Sequence, residues 1–325
     1  MNGEVVRIME VFTHAAFQML ILTLLAVAGV LARKLDFMNG EFDTMLSRLV
    51  MNFSLPALMV SSVLNNTGLP GIGTIMEILF FSIIAYLIMM IVAFLLPRIY
   101  PKLSPASRGA HAFIVGFGNT SFVGLPILSA IFGPTAVFYG VINNIPFNLF
   151  AFTCGVSMIK GAGTKTKVPL KRRIRKVARD LANPCMLSCF LALILAAFGI
   201  TDKGGLVGST FAYIGQLTVP ASMLIIGSTL ATMKPKDMLN QVLPYISSLV
   251  RLLGVPVLLW LILRWFITDP LILGVIVVGA GMPVASMGIM FALMHDGDIR
   301  SVSQGTFITT VLALVTIPVL ALLVK

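Results

Sequence analysis

The chain has 325 residues, of which 58% are apolar types and 11% are charged, and its mean hydropathy is +1.01. An average soluble domain carries about 25% charged residues, so this apolar excess excludes both a water-soluble enzyme and a disordered chain. The formal charge of +11 is read as membrane topology, with no nucleic-acid partner implied.

Ten apolar segments approach the ~20 residues needed to cross a bilayer. They run over residues 11–32, 46–64, 74–96, 109–131, 134–159, 181–199, 206–231, 241–264, 270–294 and 303–324. The first is not a signal peptide, because Glu4, Arg7 and Glu10 nearly cancel in place of a basic leader, and Arg33-Lys34 then stops the run. Turn formers such as Asn65-Asn66-Thr67-Gly68, Phe132-Gly133-Pro134 and Thr201-Asp202-Lys203-Gly204-Gly205 separate the segments. The runs are continuous rather than alternating, so a β-barrel fails. The expected fold is therefore all-α and polytopic.

Lys160 to Asp180 is the charged landmark, with Lys160, Lys165, Lys167, Lys171, Arg172, Arg173, Arg175, Lys176 and Arg179 against a single acid. Positive loops stay in the cytoplasm, so the fifth span ends there and both termini lie outside. Arg33, Lys34, Arg98, Lys102, Arg108, Lys234, Lys236 and Arg300 fall on the same side; Arg7, Lys203, Arg264 and Lys325 fall on the other. Contact of the basic loop with anionic lipid is compatible with this placement. The division expected is residues 1–160, a basic cytoplasmic loop at 161–180, and residues 181–325. Cys154, Cys185 and Cys189 lie in or beside apolar stretches and read as small apolar residues rather than metal ligands.

The two halves share punctuation. Ser54-Leu55-Pro56-Ala57-Leu58-Met59 in span 2 matches Thr218-Val219-Pro220-Ala221-Ser222-Met223 in span 7. Gly124-Leu125-Pro126 in span 4 matches Gly281-Met282-Pro283 in span 9, and Pro146 and Pro318 mark spans 5 and 10. Five spans per half force the second copy upside down, the inverted repeat of secondary carriers.

Span 4 carries Gly116, Gly118, Asn119, Thr120, Ser121, Gly124 and Pro126, and span 9 carries Gly274, Gly279, Gly281, Pro283, Ser286 and Gly288. Glycine and proline disfavour an unbroken helix, so both spans should break near the midplane. A break is tolerated only where the freed backbone groups face protein or a wet cavity. Half-helix N-termini suit an anion, and unwound carbonyls suit a small cation. Asn119 adds amide donors, while Thr120 and Ser121 add hydroxyls. A Gly-rich packing face is the plainer alternative.

Phe53-Ser54-Leu55-Pro56-Ala57-Leu58, Gly118-Asn119-Thr120-Ser121-Phe122-Val123-Gly124-Leu125-Pro126-Ile127-Leu128 and Val250-Arg251-Leu252-Leu253-Gly254-Val255-Pro256 resemble the auxin efflux carrier family over nearly the whole chain. That family includes plant auxin exporters and bacterial carriers of malate, malonate and similar acids. Plant members have long central hydrophilic loops; the short basic stretch here looks like the prokaryotic form and implies a prokaryotic plasma membrane. The resemblance implies ten helices in two inverted five-helix repeats, similar to bile-acid sodium symporters, with spans 4 and 9 crossing as broken helices. Spans 1, 2, 6 and 7 would form a scaffold that dimerises, and the other spans a moving transport domain. Asn119 and Pro126 match the family's crossover in span 4, and Pro283 matches it in span 9.

Arg251 lies near the centre of span 8, where a lone cation costs at least ~2.5–3.5 kcal/mol. It either attracts an anionic substrate or clamps backbone carbonyls freed by a break. No Asp or Glu lies deep in a span; Glu77 is near the end of span 3, and His14, His111 and His295 are near span ends or in a loop. A proton carried on the substrate, sodium bound at carbonyls and uncoupled transport all stay open. Asn143 and Asn144, beside Pro146 and Asn148, supply a second set of amides. The substrate-binding candidates are Asn119, Thr120, Ser121, Gly124, Pro126, Asn143, Asn144, Gly281, Pro283, Ser286 and Arg251. The reading is a secondary carrier of small organic anions such as carboxylates or auxin-like acids, with no catalytic residues and no cofactor unless sodium serves as one. The alternatives are a sodium-coupled symporter of a bile-acid-like anion and, less well supported, an intramembrane enzyme.

Overall fold

The computed structural model describes residues 2–66, 69–100, 102–160, 184–202, 204–232 and 241–324. The basic loop beyond Lys160, together with Thr67, Gly68, Lys203, Lys234, Lys236 and Lys325, lies outside the described residues.

The architecture among the described residues is helical throughout. The helices are α1 (Asn2–Lys34), α2 (Gly40–Leu49), α3 (Leu55–Leu64), α4 (Ile72–Leu95), α5 (Pro105–Gly116), α6 (Leu125–Phe132), α7 (Pro134–Phe150), α8 (Val156–Ile159), α9 (Pro184–Ala197), α10 (Leu206–Gln216), α11 (Thr218–Thr232), α12 (Val242–Leu249), α13 (Val255–Leu263), α14 (Pro270–Ala280), α15 (Met287–Met294) and α16 (Ile299–Val324). Among the described residues, six helical stretches are long and apolar enough to cross a membrane: Gly40–Leu64, Ile72–Ile99, Pro134–Ile159, Leu206–Thr232, Val242–Leu263 and Ile299–Val324. The first predicted segment lies within α1. The fourth, sixth and ninth contain the shorter apolar helices Thr120–Phe132, Pro184–Ala197 and Pro270–Ala280. The fourth and ninth predicted segments are each split in two, because hydropathy counts apolar residues whether or not the helix that carries them is continuous.

Proline does not end these helices; it widens them. π turns at Val50–Ser54, Thr120–Gly124 and Val250–Gly254 each stop two residues before a proline, at Pro56, Pro126 and Pro256. The Leu55 and Val255 N–H groups both donate to the carbonyl five residues back, Val50 and Val250 respectively. A proline ring clashes with the carbonyl four residues before it and offers no N–H of its own. One wider turn ahead of the ring relieves that conflict, and the chain stays helical. Pro126 accordingly sits in the first turn of α6.

Helix α1 packs along α11, and α3 packs on α9 and α10. The α1–α11 approach needs glycine: a Cβ on Gly29 would collide with the Leu224 backbone, and one on Gly227 with the Ala26 backbone. A polar clasp joins the same group at one end, where Asp43 Oδ2 accepts from Arg33 Nη1 at 2.9 Å and from Ser228 Oγ at 2.7 Å. At another point Asp202 N–H donates to Leu64 O at 2.8 Å, and Asn65 Nδ2 donates to Gly208 O at 2.9 Å. The remaining helices form the surroundings of the site. Helix α4 packs on α5 and α7, α13 packs on α14, and α16 lies against α5, α12 and α14.

Candidate functional site

Two helices are interrupted and meet at their interruptions. Helix α5 ends at Gly116, and the helical stretch Thr120–Phe132 begins after Asn119. Helix α14 ends at Ala280, and α15 begins at Met287. Between them Gly118 and Val284 form an isolated antiparallel pairing. Asn119 N–H donates to Pro283 O at 2.7 Å, and Ala285 N–H donates to Phe117 O at 3.0 Å. The backbone groups freed by each break are thus partly satisfied by the other, the condition for irregular backbone within a bilayer. Val284 N–H finds Thr309 Oγ1 at 3.0 Å.

Asn119 starts the second half of its helix. Its Oδ1 accepts the Phe122 N–H at 3.1 Å, an N-cap contact. Asn119 and Ser121 are half-buried, whereas Thr120 is buried. The Thr120 hydroxyl donates to Asn144 Oδ1 at 2.6 Å, and Asn148 Nδ2 donates to Asn144 O at 2.7 Å. Asn144 is fully buried, and its Nδ2 has no hydrogen-bond partner among the described residues. The buried Tyr86 hydroxyl interacts with the side chains of Thr120 and Asn143. A polar cluster of Thr120, Asn143, Asn144 and Tyr86 therefore backs the crossing on one side.

Arg251, in the π turn Val250–Gly254, ties the two interruptions together. Its Nε donates to Met282 O at 3.1 Å and its Nη1 to Val115 O at 3.0 Å, one carbonyl from each interrupted helix. Arg251 is fully buried, and its Nη2 has no hydrogen-bond partner among the described residues. That nitrogen lies where a Cβ on Gly118 would stand, so residue 118 has to be glycine for the guanidinium to fit.

The candidates separate cleanly by position. Asn119, Thr120, Asn143, Asn144, Arg251 and Pro283 converge on the crossing. Gly124 packs against the Met282 side chain and the Asn119 carbonyl. Pro126 lies further along α6 and is buried, while Gly281 faces Leu320 and Pro256 and Ser286 is exposed. The pairing register also sets Pro283 opposite Asn119, so Gly124-Leu125-Pro126 and Gly281-Met282-Pro283 do not occupy equivalent places. Sequence reasoning missed Tyr86 and Thr309 as site residues. A lone tyrosine in an apolar span is a usable signal, because its buried hydroxyl needs a partner.

A family described as membrane transport protein matches residues 14–321. An uncharacterized transporter of Methanocaldococcus jannaschii is 23% identical over 303 residues, covering 92% of this chain and 95% of the relative. An uncharacterized transporter of Methanothermobacter thermautotrophicus is 24% identical over 306 residues, covering 94% of this chain and 96% of the relative. With its long apolar helices, the chain is an integral membrane protein and belongs to this membrane transport family, the auxin efflux carrier type that its sequence resembles.

Proposed function

We propose that the protein is a secondary carrier that moves a small organic anion by alternating access, with the crossing as its binding site. The observation that carries this reading is the pairing of two interrupted helices at Gly118 and Val284, with Asn119 half-exposed at the start of a helical stretch. A helix N-terminus favours negative charge. Asn119 Oδ1 is used by its own N-cap contact, which leaves the amide N–H groups to a ligand carboxylate. Unpartnered donors on Asn144 and Arg251 add to the electropositive character. Such buried donors gain most from an acceptor, because an unmet one costs about 1–3 kcal/mol.

The reading extends to an inverted repeat with crossover helices at 109–131 and 270–294. In it α1, α3, α9, α10 and α11 act as a scaffold, and the helices around the crossing form the part that moves. The termini would lie outside and the basic stretch after Lys160 inside, as positive-inside bias demands.

The experiment uses two substitutions at one residue. Asn119→Ala removes both the cap and the amide donors, whereas Asn119→Asp keeps an acceptor for Phe122 and sets a negative charge against the ligand. In reconstituted vesicles given malonate or indole-3-acetate, both variants should lose uptake, and Asn119→Asp should unfold at the wild-type temperature. Wild-type affinity in Asn119→Asp would remove Asn119 from the site.

A further inference from the structure

Carbonyls freed by broken helices in carriers are the usual seat of a coupling cation. Here the seat is taken. Val115 O and Met282 O, one from each interrupted helix, both accept hydrogen bonds from the single guanidinium of Arg251. That group is permanently charged. It reaches the crossing from a third helix segment, the π turn Val250–Gly254. The remaining nitrogen, Nη2, is buried against Gly118 and has no hydrogen-bond partner among the described residues. Tyr86 lies within electrostatic reach of the guanidinium, and its hydroxyl engages the side chains of Thr120 and Asn143, while Glu77, the one carboxylate within α4, lies near the start of that helix. No ion pair involving Arg251 occurs among the described residues. Among the described residues the charge is therefore held in place by backbone dipoles and meets no paired acid.

We propose that Arg251 is a resident cation occupying the place of a coupling ion, so that anion binding at the crossing needs no sodium and the bound anion itself neutralises the guanidinium. This rests on the crossing being the anion site. It turns Arg251 from a static clamp into the charge that selects anions over their neutral analogues. A buried cation that lacks a counter-ion is costly, and a carboxylate entering beside Nη2 removes that cost. An uncharged amide of the same shape does not.

The test reads sodium and guanidinium dependence separately. Purified wild-type protein is titrated with sodium chloride against choline chloride at constant ionic strength, and its unfolding temperature is followed, since a ligand bound to the folded state raises it. The expected result is no saturable sodium-specific rise; such a rise overturns the proposal. Arg251→Ala should unfold at a lower temperature and recover through a saturable rise of at least about 2 °C on low concentrations of guanidinium chloride. A purely packing role gives no such recovery, and its absence overturns the proposal. If Arg251→Ala cannot be purified folded, the wild-type sodium titration decides alone.

Vesicle flux then separates this proposal from the transport reading. Malonate or indole-3-acetate uptake should be equal in sodium and choline media, and lower by at least about tenfold in Arg251→Ala. Uptake that requires sodium overturns the resident-cation proposal and leaves the carrier reading intact. No uptake of any acid in either medium sinks the carrier reading, while the unfolding titrations still decide the role of Arg251.

Discussion

The Ser54 hydroxyl lies 3.0 Å from the Thr218 hydroxyl, and both residues are fully buried. Each comes two residues before a proline, in Ser54-Leu55-Pro56 and Thr218-Val219-Pro220, so the two matching motifs of the chain touch each other at their matching hydroxyls. Ser54→Ala or Thr218→Val alone strands the remaining hydroxyl and should cost about 0.6–1 kcal/mol, the range for hydrogen bonds between membrane helices and for typical protein hydrogen bonds. The double substitution should cost less than the sum of the two. A thermal-unfolding double-mutant cycle in detergent measures the difference.

Gly118→Ala places a methyl where Arg251 Nη2 now lies. The guanidinium has to leave at least one of its two carbonyls. We expect a loss of about 1–3 kcal/mol in stability, typical of overpacking, together with loss of anion uptake. Gly40→Ala, where nothing lies within 4 Å of the added carbon, is the control and should behave as wild type. Unfolding temperature and vesicle uptake of the two variants check this.

The clasp at Asp43 joins α1, α2 and α11 through one carboxylate oxygen. Its side chain is 14% exposed and that of Arg33 is 26% exposed, so solvent screens the pair only in part. Asp43→Ala leaves Arg33 and Ser228 without their shared acceptor and should destabilise the protein by about 1 kcal/mol. Arg33→Ala added to Asp43→Ala should cost little more. Unfolding temperatures of the single and double variants are the measurement.

Asp298 caps the start of α16. Burial pushes its carboxyl up, but the Ser301 N–H at 3.0 Å, the Ser301 hydroxyl at 2.7 Å and the Ser107 hydroxyl outweigh that and hold it below the ordinary carboxylate range. A depressed folded-state value means that stability is fully present above the unfolded value of about 3.9 and is lost as pH falls through the lower folded value. The stability gap between wild type and Asp298→Ala should thus be constant from neutral pH down to about 5 and shrink below about 4. Unfolding measured across that range checks the sign.

Much of this was legible without coordinates. The breaks at Phe117–Asn119 and near Pro283 follow from glycine and proline in spans that hydropathy alone reads as continuous. Arg251 stands out because no apolar span carries a cation cheaply. Other features were not legible for physical reasons. Pro126 looked like the breaker, yet a π turn absorbs it and the interruption falls earlier, because proline's conflict can be relieved by one wide turn. Tyr86 and Thr309 reach the crossing from α4 and α16, and no local pattern encodes a contact made between distant helices. Likewise, the matched marks Gly124-Leu125-Pro126 and Gly281-Met282-Pro283 say nothing of the hydrogen-bond register of the crossing, which sets Asn119 opposite Pro283.

That register leaves the two walls of the crossing unlike. Asn119 follows Gly118 on one strand as Ala285 follows Val284 on the other, so an amide on one side answers to a bare methyl on the other. The frame is even-handed; its chemistry is lopsided. Under the proposed carrier reading, a guest with one ionised end and an oily remainder would settle there in a single orientation, head toward residue 119 and tail toward residue 285, whereas a molecule with identical ends would have nothing to tell it which way round to lie.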